Sequence, residues 1–180
     1  ELLKKYKYDS RIMYINGARK LKGEKNYKYS YDFVFGSDTG GYAFWKRTWE
    51  KVDIKMKNYE YFKKNQSLKK IYPNLIERKF KSRVFDASYK DGEIGPDTQV
   101  AFSILSNSGL CIIPNKNLVK IGGFGGAAAH NKKGDAYLSM STEKINFPLT
   151  HPPIIIRNRL YEEKLASWMI KNKIIKKKEF

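Results

Sequence analysis

Residues 96–114 read Pro-Asp-Thr-Gln-Val-Ala-Phe-Ser-Ile-Leu-Ser-Asn-Ser-Gly-Leu-Cys-Ile-Ile-Pro, and this stretch decides the fold class. Proline at a first-turn position opens a helix over about Pro96–Asn107, with Val100, Ala101, Ile104 and Leu105 as its apolar face. Gly109 stands just past the helix end, where glycine commonly releases the chain. Leu110–Ile113 is then an apolar run of buried-strand type, stopped by Pro114. A helix handed directly to a buried strand is the unit of an α/β fold.

Working outward, Asn74–Tyr89 is the best helix of the first half. Leu75, Ile76, Phe80, Val84 and Phe85 recur at three-to-four spacing, and Asn74 stands at the N-cap. Asp91–Pro96 breaks it. Strands are expected at Arg11–Ile15, ending at Asn16-Gly17, and within Tyr29–Phe35, where aromatic and polar residues alternate. Ser37–Gly41 reads as a turn-rich hinge into Tyr42–Trp45, and Lys46–Val52 and Tyr59–Lys64 as helical segments. The opening Glu1–Tyr8 has helical spacing, and the chain closes with a lysine-rich helix, about Arg159–Lys173, and a basic tail. Without repeats or a Pro/Ser-rich linker, the expectation is one domain with an incomplete mixed sheet flanked by helices.

At 180 residues with 41% apolar and 14% aromatic content, the chain has enough to build a real core. Cys111 is the one cysteine, which excludes an intramolecular disulfide framework and a cysteine-cluster metal site. His130 and His151 supply at most half of a four-histidine site. No stretch approaches the roughly 18–20 apolar residues of a spanning helix, and the first residues hold no signal-peptide core. The net charge of +18 points either to a polyanionic partner or to compositional drift. Only seven of the 36 basic residues are arginine, the better reader of phosphates and base edges. The lysines accompany abundant Asn, Ile and Tyr, which A/T-rich codons encode.

Gly122–Gly126 resembles a phosphate loop only in composition. No lysine and hydroxyl follow it, and the dinucleotide fingerprint fails as well. It reads as a structural loop, or as a mobile loop over a substrate with His130 at its end. Asp97, directly after Gly95-Pro96, is either a carboxylate favoured by a helix N-terminus or a general base at the lip of a cleft. Asp86, Asp91 and Glu93 read as solvated charges, and Asp38 as a turn residue. Tyr42, Phe44, Trp45 and Trp49 form a dense aromatic cluster suited to core packing or to stacking against sugars and bases.

Five blocks in one order then resemble the C-terminal half of bacterial nucleotide-diphospho-sugar glycosyltransferases of the GT-A type, in the hemolytic-protein-like and capsular-polysaccharide group. Gly40–Trp49 stands where that group has WGWATW-K/R-RAW, and Pro96–Val100 where it has a Trp-Asp-x-Gln-Trp block. Asn107–Gly125 is similar to its NxGLSIIPNxNLVxNIGFG, Ala128–His130 to its Ala-Thr-His, and Phe147–Pro152 to its Phe-Pro-Leu-x-His-Pro. The departures are Gly40, Pro96 and Val100 in place of aromatics, and the absence of any Asp-x-Asp from the 180 residues.

The resemblance implies the C-terminal part of a GT-A-like mixed sheet. Residues 1–160 would be the acceptor-side half of the catalytic domain and 161–180 a basic C-terminal helix and tail, with the nucleotide-binding half elsewhere. The implied reaction moves a sugar from a nucleotide-sugar donor to a hydroxyl of a glycan or lipid-linked acceptor in surface polysaccharide synthesis. Asp97 would be the catalytic base, Tyr42, Trp45 and Gln99 would contact the acceptor, and His130 would meet the donor diphosphate. A divalent metal, Mg or Mn, would serve the complete enzyme, though no ligand for it is assigned here. His151 reads as structural. The implied location is cytoplasmic, peripheral at the inner face of the membrane. Lys171–Lys178 and an apolar helix face at Leu165, Trp168, Met169 and Ile170 suit docking on an anionic bilayer. The alternative is a non-enzymatic basic module on nucleic acid or an anionic membrane, although no specific nucleic-acid motif is present.

Overall fold

The computed structural model describes residues 1–22, 27–36, 41–91, 96–120 and 141–172. Within them the chain is α/β, a four-stranded mixed sheet flanked by helices. In order, the elements are α1 (Leu2–Lys5), β1 (Ile12–Asn16), β2 (Tyr31–Val34), β3 (Tyr42–Ala43), α2 (Lys46–Trp49), α3 (Tyr59–Lys64), α4 (Ser67–Ile71), α5 (Leu75–Asp91), α6 (Asp97–Ser106), β4 (Leu110–Pro114) and α7 (Arg159–Lys171). The strand order is β2-β4-β1-β3, with β1 and β4 parallel and the outer pairs antiparallel. A parallel pair needs a long crossover, and the chain between β1 and β4 supplies it with α2 to α6.

The expected helices at the centre form as their patterns require. Asn74 caps α5, its Oδ1 accepting from the amides of Ile76 at 2.9 Å and Glu77 at 3.2 Å. Short α4 was not expected. Gln66, left-handed at φ 52°, separates it from α3. Pro114 ends β4 from inside the strand, opposite Tyr31, and its carbonyl accepts from Arg19.

A register irregularity between Ile12 and Tyr14 makes Met13 an extra residue in β1. Such a bulge lets consecutive side chains serve one face. Met13 and Tyr14 therefore both join the cluster of Val34, Ile104, Cys111, Ile113 and Tyr161. Ile12 joins Tyr6, Tyr31, Phe33 and Ile112 on the opposite face. A third cluster, including Tyr59, Phe62, Tyr72, Phe85 and Phe102, locks α3, α5 and α6 together through edge-to-face rings.

The outer side of β2 is met by side chains and by residues 150–158. Along β2, Ser30 N donates to Thr150 O, Asn158 N to Phe33 O, and Phe35 N to Glu162 Oε1. Beyond the two residues of β3, the β1 carbonyls of Ile12 and Met13 accept from Arg47 and from the Thr48 hydroxyl. These backbone groups thus find partners without a further strand. Helix α7 lies against the sheet, with Tyr161 in the central cluster and Leu165 packed on it. Leu165 and Met169, expected on a membrane-docking face, turn inward to line a cavity. Among the described residues, no helix is long and apolar enough to cross a membrane.

Candidate functional site

On the Tyr14–Ile113 face of the sheet, residues of α5, α6 and α7 line a half-open cavity of about 250 Å³. Val34, Ile113, Ala101, Leu165 and Met169 make apolar wall, and Asn16 and Asp97 are among its polar positions. Asp97 is the first residue of α6, is exposed, and is one of the residues that line the cavity. The adjacent Thr98 is buried and lines the same space.

Asn16 ends β1 and is only 3% exposed. Its Oδ1 accepts from Ala18 N at 3.0 Å, which fixes the amide orientation, and Nδ2 finds no partner among the described residues. A buried donor left unpaired costs about 1–3 kcal/mol. That makes Asn16 conspicuous in the cavity wall.

Two buried carboxylates, Glu77 and Glu162, also border the cavity, and both are already engaged. Glu162 accepts from Phe35 N, Arg157 Nε and Arg159 Nη1, while Arg159 Nη2 reaches Glu77 at 2.7 Å. The Arg157 guanidinium lies 3.9 Å from the Phe35 ring centre. Burial alone would pull Arg159 down, but hydrogen bonds and charge from Glu77 and Glu162 raise its pKa above the ordinary arginine value. Burial, reinforced by Glu162, raises the Tyr72 phenol, so it stays neutral.

Tyr42 reaches the same sheet face as the cavity because it pairs with Asn16 across β1 and β3. It stacks on Tyr14 at 5.2 Å and on Phe44 at 5.8 Å, and Phe44 stacks on Trp49 at 5.8 Å. Tyr42 and Trp49 are each half exposed, so two residues of this ladder meet solvent. Trp45 points to the opposite sheet face. It packs with Tyr6, Ile12 and Phe33, donates from Nε1 to Leu3 O at 3.0 Å, and carries the Arg47 guanidinium 4.1 Å above its ring. Gln99 is buried inside α6 and is not part of the cavity wall.

His130, the glycine-rich stretch at 121–129, Asp38 and Glu93 lie outside the described residues, as does the tail at 173–180. His151 accepts or donates at Nδ1 with the Tyr31 hydroxyl, 2.9 Å away, and its Nε2 is 3.3 Å from Glu1. Asp86 pairs with Lys63 at 2.6 Å. From the sequence Asn16 reads only as the end of a strand. Its even spacing from Tyr14 was the signal that it shares the core face.

Among the described cavity residues, Glu77 and Glu162 are held by guanidinium groups. Among the described residues no group of three metal-ligating side chains converges. Compared with protein-family models, with curated proteins and with solved structures, the chain matches none.

Proposed function

We propose that this chain is the acceptor-side part of a GT-A-like glycosyltransferase. It moves a sugar from a nucleotide-sugar to a hydroxyl of a glycan or lipid-linked acceptor, at the cytoplasmic face of the membrane. The observation that carries the reading is Asp97: an exposed acidic residue that lines a cavity, on the sheet face that also presents the Tyr42 ladder. In the reaction, an Asp97 oxygen accepts the acceptor hydroxyl's proton as that oxygen bonds to the anomeric carbon. The bond from that carbon to the diphosphate oxygen breaks, and the diphosphate leaves with the electron pair. The exposed Tyr42 face stacks against the acceptor ring. Gln99 acts through the helix that carries Asp97, Trp45 by holding the wall from behind, and His130 by meeting the diphosphate.

The test uses the full-length product of the gene that encodes this chain. It is given a panel of labelled nucleotide-sugars with mono- and disaccharide acceptors and with polyprenyl-phosphate-linked acceptors. Transfer is expected, and Asp97→Asn is expected to lower kcat by about 10²–10⁴-fold with donor binding retained. Failure to transfer from any donor would overturn the activity, and near-normal turnover by the variant would overturn the role of Asp97.

A further inference from the structure

We infer that the corner of the molecule where α5 and α7 begin is a docking surface for a bilayer of anionic lipid. The transferase reading puts the protein at a membrane. This inference gives that location a surface and a lipid charge, and it stands on the described side chains without any sugar chemistry.

Two arginines gather the corner. Arg157 Nη1 donates to the carbonyl of Ile71 at 3.0 Å, which brings residues 156–158 to the end of α4. Arg159 Nη2 reaches Glu77 at 2.7 Å, which brings the first turn of α7 to the first turn of α5. Both guanidinium groups lie against the Tyr72 ring. Around this layer stand Leu75 and Ile76 of α5, Leu160 of α7, and Ile154 and Ile156 of the segment beside β2. All five are exposed, and Leu75, Ile154, Ile156 and Leu160 each keep more than half of their surface in water. A group of large aliphatic side chains on one corner marks an interaction site, where a single exposed leucine would not.

The backbone explains why they stand outside. Ile155 packs with the Tyr6 and Phe33 cluster, so its neighbours Ile154 and Ile156 are turned outward by strand-like alternation. On the helices, Glu77 and Tyr161 are buried beside exposed Ile76 and Leu160.

Charge decides what covers the corner. Lys79 follows Leu75 by four residues and Ile76 by three on α5, and Lys164 follows Leu160 by four on α7, so each shares a helix face with those aliphatics. Both lysines are exposed, as are Lys69 and Lys70, which precede Ile71 in α4. The carboxylates that stand among them are bound: Glu77 by Arg159, Glu162 by Arg157 and Arg159, and Glu163 by Arg159. An aliphatic centre with a lysine rim is complementary to a negatively charged lipid surface. A protein partner fits less well, because protein interfaces favour aromatic residues and arginine over lysine, and the arginines here are engaged inward.

Cys111 is buried, so a cysteine introduced at the surface can be labelled selectively. The chain carries an environment-sensitive fluorophore at Ile156→Cys, Leu160→Cys or Lys46→Cys, the last on α2 beyond the opposite edge of the sheet. Each is mixed with phosphatidylcholine vesicles made with or without phosphatidylglycerol. Binding to the anionic vesicles is expected to exceed that to the neutral ones at least about tenfold and to fall as salt rises. Labels at 156 and 160 should shift to the blue and be quenched by nitroxide-bearing lipid, and the label at 46 should not. Lys69→Gln and Lys70→Gln should each weaken binding about fivefold. Ile154→Ser, Ile156→Ser and Leu160→Ser together should weaken it about tenfold or more while the circular dichroism spectrum is kept. Equal binding to neutral and anionic vesicles would overturn the proposal, as would anionic binding that leaves the labels at 156 and 160 unquenched. A dimer in sedimentation that the three serine substitutions dissolve would assign the corner to a second copy and overturn it too. None of these measurements reads sugar transfer, so the surface and the activity fail separately.

Discussion

The thioether of Met13 occupies the place that a side chain on Gly109 would need: a Cβ built there would stand 2.2 Å from Sδ and 2.8 Å from Cγ. The two residues meet where the bulge in β1 pushes Met13 inward and where α6 passes into β4. Gly109 is thus held by close approach at the junction of the crossover and the central sheet.

Gly109→Ala should therefore destabilise the chain by about 1–3 kcal/mol, the usual cost of overpacking a filled core. Ile104 Cγ2, 3.2 Å from the added carbon, leaves Met13 little room to yield. Urea unfolding of the two proteins measures it, and an unchanged midpoint would show that Met13 moves aside freely.

Arg47 ties α1 to the sheet. Its guanidinium donates to the carbonyls of Lys7, Tyr6, Asp9 and Ile12 at 2.7–3.1 Å while stacking on Trp45. Arg47→Ala is expected to cost about 2–4 kcal/mol, since partly buried carbonyls lose their donors. Arg47→Lys should recover less than half of that, because a single ammonium does not span four acceptors in a plane. Full rescue by lysine would mean that charge alone matters.

Acid should weaken the contact of α3 with α5. Partial burial pushes the Asp86 carboxyl up, but the Lys63 ammonium and the Tyr59 and Ser82 hydroxyls outweigh it, so its pKa lies below the ordinary aspartate value. A carboxyl with a lowered folded pKa contributes stability that is full above its unfolded pKa, near 4, and is lost as pH falls through the folded one. The stability gap between the parent and Asp86→Asn should accordingly be present at pH 7 and shrink below about pH 4. Denaturation curves at pH 7, 4 and 3 measure it, and a constant gap would exclude the ion pair as the source.

If the transferase reading holds, Asp97 and Tyr42 should fail differently in the full-length protein. Asp97→Asn removes a proton acceptor and lowers kcat, whereas Tyr42→Ala removes a stacking face and should raise the acceptor KM about three- to tenfold. His130→Ala should instead weaken donor binding. Steady-state kinetics with acceptor and donor varied in turn separate the three, and a Tyr42→Ala variant with unchanged acceptor KM would remove Tyr42 from the acceptor wall.

Much of the local structure was legible in the order of the residues. Asn74 before a three-to-four apolar spacing announced α5, Pro96 announced the start of α6, and the Leu110–Ile113 run announced β4. Each of these signals is carried by neighbours within a turn or two, which is why sequence suffices for them. Asp97 at the head of α6 and Tyr42 beside a glycine pair were legible as candidate site residues for the same reason.

What tertiary structure alone decided depends on register and on contacts distant in sequence. Simple alternation along Arg11–Ile15 would put Met13 and Tyr14 on opposite faces, but the bulge against β4 puts both in one cluster. The partnering of β1 with β3 set Asn16 beside Tyr42, and the β1–β4 pairing brought α6 with Asp97 over the same face. Trp45, three residues beyond Tyr42, went to the other face because its indole found the Leu3 carbonyl and the Arg47 guanidinium there. No local pattern encodes such choices, since they are made by shape and hydrogen-bond satisfaction between segments that meet only when the chain has folded.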